Sequence, residues 1–201
     1  METGMMSATS EESDLKSLAP KAEPWSKRKL ITASVIGGVV AALAGFFGAS
    51  ESIKKANDRA MVQIEQLSTA IEKYMLDNGD YPGRDDDSPF DGDISEQLYN
   101  ELFYEGYMDL KENGGDGEIP IYLNELNPLD GKSMFTRKIE AVIPPRDMKI
   151  LDPWGRPYRY RKGTLANNPD YDLWSTGKDG MTDPYDPSRT LKENRDDIRN
   201  F

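Results

Sequence analysis

Ser50–Pro82 reads SESIKKANDRAMVQIEQLSTAIEKYMLDNGDYP, and its apolar residues recur at steps of three or four. Ile53, Ala56, Ala60, Ile64, Leu67, Ile71 and Tyr74 share one face of an α-helix at that spacing, so the stretch predicts an amphipathic helix with one buried stripe. Asn78-Gly79 supplies its C-terminal stop, and Pro82 forbids continuation.

Upstream, Leu30–Ala49 reads LITASVIGGVVAALAGFFGA, without a charge. About 20 such residues span a hydrocarbon core of roughly 30 Å, so residues 29–49 are expected to be a transmembrane anchor. Only glycines interrupt the pattern between Leu30 and Asp77. One helix of about 45–50 residues, roughly 70 Å long, is therefore expected, half in lipid and half on a soluble domain.

Lys27, Arg28 and Lys29 before the apolar run favour a cytoplasmic N-terminus, although Lys54, Lys55 and Arg59 follow it on the far side. A buried core helix and a signal peptide cleaved after Ala42-Leu43-Ala44 are the competing readings. The length of the uncharged run and the nearly 30 residues before it favour a retained anchor. Gly37, Ala41 and Gly45, and likewise Ala44 and Gly48, lie four apart. That spacing permits close helix–helix approach in lipid, but small residues are common in membrane helices generally.

Residues 1–28 are rich in Ser, Glu and Lys and show no apolar period, which predicts a disordered cytoplasmic tail with Trp25 near the membrane interface. Residues 50–201 form the remaining domain, and one core is all that such a length supports. Of 25 basic and 36 acidic residues, residues 1–50 hold five of each, leaving 20 and 31 for the rest. A domain so acidic repels phosphates, which excludes nucleic acid as a natural partner. There is no His and no Cys. Disulfides, the usual zinc sites, Ser-His-Asp triads and Cys nucleophiles are thereby excluded. A carboxylate-pair enzyme remains chemically conceivable, but no nucleophile motif or metal triad supports it, and the chain reads as a non-enzyme.

Asp85, Asp86, Asp87, Asp91 and Asp93 form an acidic loop. A short helix is expected from Ser95 to Leu102, and short strands at Ile119–Leu123 and Lys138–Ile143. Asp152-Pro153-Trp154-Gly155 has the residues of a type I turn. Tyr158–Arg161 and Tyr171–Trp174 each alternate like half-buried strands and are expected to pair as an antiparallel hairpin. Gly177–Asp197 reads as an Asp-rich loop.

Three segments together resemble the major pseudopilin of bacterial type II secretion systems. They are the helix ending IEKYMLDNGDYP at 71–82, DPWGRPYRYR at 152–161, and YDLWSTGKDG at 171–180 with Asp-Asp-Ile at 196–198. The resemblance implies an α+β, pilin-like fold: a long N-terminal helix, half transmembrane, packed on a small antiparallel sheet with an irregular C-terminal loop. It also implies a structural calcium ion in that loop, with Asp179 and Asp197 as ligands, Asp196 as an alternative, and carbonyls near Trp174 and Thr176. Calcium favours six to eight oxygens on an irregular loop, and Asp183 and Asp186 are further candidates. Read without the resemblance, the same loop is an ordinary solvated acidic one.

The implied function is a membrane-anchored structural component of a type II secretion or type IV pilus-like apparatus. It would sit single-pass in the bacterial inner membrane with its domain periplasmic or extracellular. The implied partners are other pseudopilins or secretion-platform proteins, besides self-association through the anchor. The sequence departs from the family at the anchor, where no Gly-Phe-Thr-Leu-Ile-Glu cleavage motif occurs and the only Gly-Phe, Gly45-Phe46, lies at the far end. The alternative is a stand-alone anchored binding domain on a pilin-like scaffold that does not polymerise.

Overall fold

The computed structural model describes residues 27–84, 94–164, 166–185 and 192–201, with side chains from residue 51 onward. Residues 1–26 of the expected tail, the acidic loop at 85–93, Asp186 and the anchor's side chains lie outside the described residues, while Lys27 and Arg28 are helical. Among the described residues no helix is long and apolar enough to cross a membrane. The chain divides into two units, Met1–Gly48 and Ala49–Phe201, and the second carries the core.

Helix α1 is Lys27–Asn78. Its stripe faces the core as the periodicity requires: Ala60, Ile64, Leu67 and Ile71 are buried, and Ile53, Ala56 and Tyr74 are half-buried at the margins. Gly79, at φ +74°, donates its amide to the Met75 carbonyl and ends the helix.

Three strands follow: β1 (Arg159–Lys162), β2 (Tyr171–Ser175) and β3 (Ile198–Arg199), in the order β1-β2-β3 and antiparallel throughout. The expected hairpin is present, with Tyr160 opposite Leu173 and Arg161 opposite Asp172. Tyr158, Tyr160, Tyr171 and Leu173 join the α1 stripe in one apolar cluster. Buried Gln63 ties the layers together. Its Nε2 donates to the Met134 and Leu151 carbonyls, and its Oε1 accepts from the Tyr158 hydroxyl. A fully buried amide is tolerable because both of its ends are bonded.

The segment between α1 and the sheet differs from expectation. Instead of a helix ending at Leu102, α2 (Ile94–Tyr99) passes through a wide π turn (Asn100–Tyr104) into α3 (Glu105–Glu112). Gly106 looks like a helix breaker, yet it sits inside the helical segment because Pro120 is pressed against it. A Cβ there would lie 2.5 Å from the Pro120 carbonyl oxygen. The strands expected at Ile119–Leu123 and Lys138–Ile143 do not form. The Tyr122 and Leu123 amides both donate to the Leu102 carbonyl, which pins that stretch to the helix instead of to a ladder. In the second stretch the Ile139 amide bonds Pro128, and the prolines at 144 and 145 have no amide to give.

Candidate functional site

The Asp152–Gly155 turn forms as its residues dictate, with the Gly155 amide on the Asp152 carbonyl at 2.9 Å. Asp152 is buried and fully used. Its Oδ1 accepts from the Trp154 and Arg156 amides, and its Oδ2 accepts from the Ser175 hydroxyl at 2.6 Å. The turn therefore holds the end of β2, and with it the start of the C-terminal loop.

Both strands prove to be more buried than alternation suggests. β2 is buried along its whole length, and Arg161 and Lys162 are buried in β1. The face carrying Arg161, Asp172 and Trp174 is covered by the C-terminal loop. Arg161 pairs with Asp172 at 2.8 Å and also donates to the Pro184 carbonyl at 2.7 Å. Asp172 accepts in addition from the Asn167 and Asn168 amides, so the buried carboxylate lacks no donor. The Trp174 indole N–H donates to Thr182 Oγ1 at 3.1 Å, and that hydroxyl donates to Asp197 Oδ2 at 2.7 Å.

Of the expected metal residues, Asp179 and Asp196 meet directly. Asp196 Oδ2 accepts the Asp179 amide at 2.9 Å. Gly177, at φ +60°, touches the other segment so closely that a Cβ would lie 2.2 Å from the Asp196 carbonyl oxygen. Thr176 is buried, and its carbonyl already accepts the Gly180 amide at 3.1 Å. Trp174 stands inside the sheet, in register with Arg159 on one side and Arg199 on the other. Asp183 turns away: its Oδ1 accepts the Tyr185 amide and its own amide bonds Asn194 Oδ1.

Asp197 is the most telling of the set. It is buried, and Arg199 Nη2 and Thr182 both bond its Oδ2, whereas its Oδ1 has no hydrogen-bond partner among the described residues. Burial pushes its carboxyl above the ordinary aspartate range, against the lowering pull of Arg199 and Thr182. Among the described residues no three acidic side chains stand close enough to hold a metal. An ion here would thus rest on one or two carboxylates and on main-chain oxygens, a donor set that fits calcium chemistry.

Sequence reasoning missed the arginines. Arg156 reaches into the same loop and donates to the Gly177 carbonyl at 2.7 Å and the Lys178 carbonyl at 3.0 Å. Arg161 and Arg199 anchor the loop at Pro184 and Asp197. The one available signal was the alternation of Arg in GRPYRYR opposite an Asp-rich tail.

A helix with one buried stripe, laid on a three-stranded antiparallel sheet whose other face is closed by a loop, defines an α+β protein consistent with the pilin-like class. Residues 137–193 match the family described as type II secretion system (T2SS), protein G, and so bear out the resemblance to the major pseudopilin. That is a structural secretion-system family, not an enzyme family. No curated protein and no solved structure matches the chain. The matched residues include the Asp152 turn, β1, β2 and Asp179.

Proposed function

We propose that this chain is a membrane-anchored, pseudopilin-like structural component of a type II secretion or type IV pilus-like apparatus. A helix over 29–49 holds it in the bacterial inner membrane, with residues 1–28 cytoplasmic and residues 50–201 periplasmic or extracellular. It works by helix–helix assembly with other pseudopilins or secretion-platform proteins, without catalysis. The observation that carries this reading is the family match, which falls on the turn, on the hairpin that packs against the α1 stripe, and on the loop that follows.

Met61 and Val62 are exposed on α1, away from the core, at 58% and 46%. A photo-crosslinking residue at Met61 in the full chain, expressed in cells carrying the apparatus, is expected to give adducts with a second copy or with platform proteins. Adducts only from Val142, which is 84% exposed in the segment between α1 and the sheet, would instead support the stand-alone binding domain.

Calcium is the second part of the proposal, with Asp179 and Asp197 as carboxylate ligands, Asp196 as an alternative to Asp197, and carbonyls near Trp174 and Thr176 completing the shell. The ion would supply positive charge to Asp197 Oδ1, which has no hydrogen-bond partner among the described residues. The detergent-solubilised full chain should melt at higher temperature in millimolar calcium than in chelator. Coincident melting curves would remove the metal.

A further inference from the structure

We infer that Arg156 is a built-in cation of the C-terminal loop, holding Gly177–Gly180 in place whether or not a metal is bound. Its guanidinium sends two N–H groups to two successive carbonyls, Gly177 at 2.7 Å and Lys178 at 3.0 Å. The rigid planar fork suits such a pair in a way that a lysine ammonium does not. Among the described residues the Arg156 side chain bonds carbonyl oxygens and makes no ion pair with a carboxylate, which is how a bound cation would be held.

The loop backbone is shaped around it. Gly180 has φ +77°, and a Cβ there would lie 2.4 Å from Arg156 Nε and 2.8 Å from Cζ. The Gly180 amide closes the same bend onto the Thr176 carbonyl at 3.1 Å. At its root Arg156 is fixed by its own amide on Asp152 Oδ1 at 2.8 Å, so the turn before β1 aims the guanidinium at the loop after β2. The Gly177 and Lys178 carbonyls thus already face a positive charge, which disfavours a second cation on the same two oxygens. The inference is independent of whether such an ion binds.

Hydrogen exchange on the full chain in detergent micelles tests it, with chelator present, for the wild type, Arg156→Ala and Arg156→Lys. In the wild type the amides of 176–182 are expected to be protected. In Arg156→Ala their exchange should rise about tenfold or more, with Arg156→Lys intermediate, because charge-assisted bonds are lost while the core is untouched. Unchanged exchange in α1 residues 64–71 shows that the fold is retained. Wild-type protection in Arg156→Ala, or no protection in the wild type under chelator, would overturn the inference.

Adding calcium separates this inference from the metal proposal. Slower exchange in both proteins supports the ion without altering the role of Arg156, and no effect in either removes the ion alone. Gly180→Ala gives an independent reading when made in the wild type and again in the Arg156→Ala variant. The strain of positive φ is common to both backgrounds, so a larger fall in Tm where Arg156 is intact measures the contact itself. Equal falls would refute it.

Discussion

Replacing Gln63 by Met should destabilise the domain by about 3 kcal/mol, although Met matches Gln in shape and favours burial. In the wild type, Gln63 bonds Tyr158 Oη at 3.0 Å, the Leu151 carbonyl at 3.3 Å and the Met134 carbonyl. Met134 keeps a second donor, Arg59 Nη2 at 3.0 Å. The Tyr158 hydroxyl and the Leu151 carbonyl are left dry, at about 1–3 kcal/mol each. Burying a thioether in place of an amide returns roughly 1 kcal/mol. For a unit of this size about 3 kcal/mol corresponds to a fall in Tm of about 9 °C. Thermal melts of the full chain in detergent, followed by tryptophan fluorescence, would measure it. Adding Tyr158→Phe removes one orphaned group and should recover about 1–2 kcal/mol. A fall smaller than about 3 °C, or no recovery in the double variant, would refute the view of Gln63 as a satisfied buried hub.

Three further outcomes follow from the same packing. Asp172→Ala leaves the Arg161 guanidinium, 1% exposed, without its carboxylate, and should cost about 3–5 kcal/mol in denaturant titration; a loss below about 1 kcal/mol would mean that the charge is not truly buried. Gly106→Ala tests packing against propensity. Helix preference favours Ala by about 1 kcal/mol, but a Cβ 2.5 Å from the Pro120 carbonyl forces overpacking of about 1–3 kcal/mol, so a more stable variant would contradict the contact. Burial raises the phenols of Tyr99, Tyr158 and Tyr160 above their ordinary value of 10.0. The stability that this confers is complete below about pH 10 and is lost as pH climbs towards the raised folded values. Their ionisation at 295 nm should therefore coincide with unfolding; ionisation near pH 10 with the fold intact would show them to be solvated.

Local pattern was sufficient wherever one face of an element meets the core. The spacing of Ala60, Ile64, Leu67 and Ile71 specified which side of α1 is buried, and Asp-Pro-Trp-Gly specified its turn, because helix pitch and φ preferences act within a few residues. The hairpin was legible for the same reason. The helix beyond Leu102 was not, since Gly106 is a local breaker and becomes favourable only when Pro120, fourteen residues later in the chain, lies against it.

The candidate loop divides in the same way. Composition alone marked an Asp-rich loop near the end of the chain, and the resemblance to the major pseudopilin singled out Asp179 and Asp197 in it, with Asp196 as an alternative. Only the tertiary structure decided that Asp197 is buried with one oxygen unbonded among the described residues, and that Arg156 bonds the Gly177 and Lys178 carbonyls nearby. Likewise, alternation in β1 and β2 foretold one apolar face, whereas the burial of the opposite face came from the loop folding over Arg161 and Trp174. Short-range periodicity encodes which way a side chain points. What waits on that side is set by contacts between residues far apart in the chain, and no spacing along it records them.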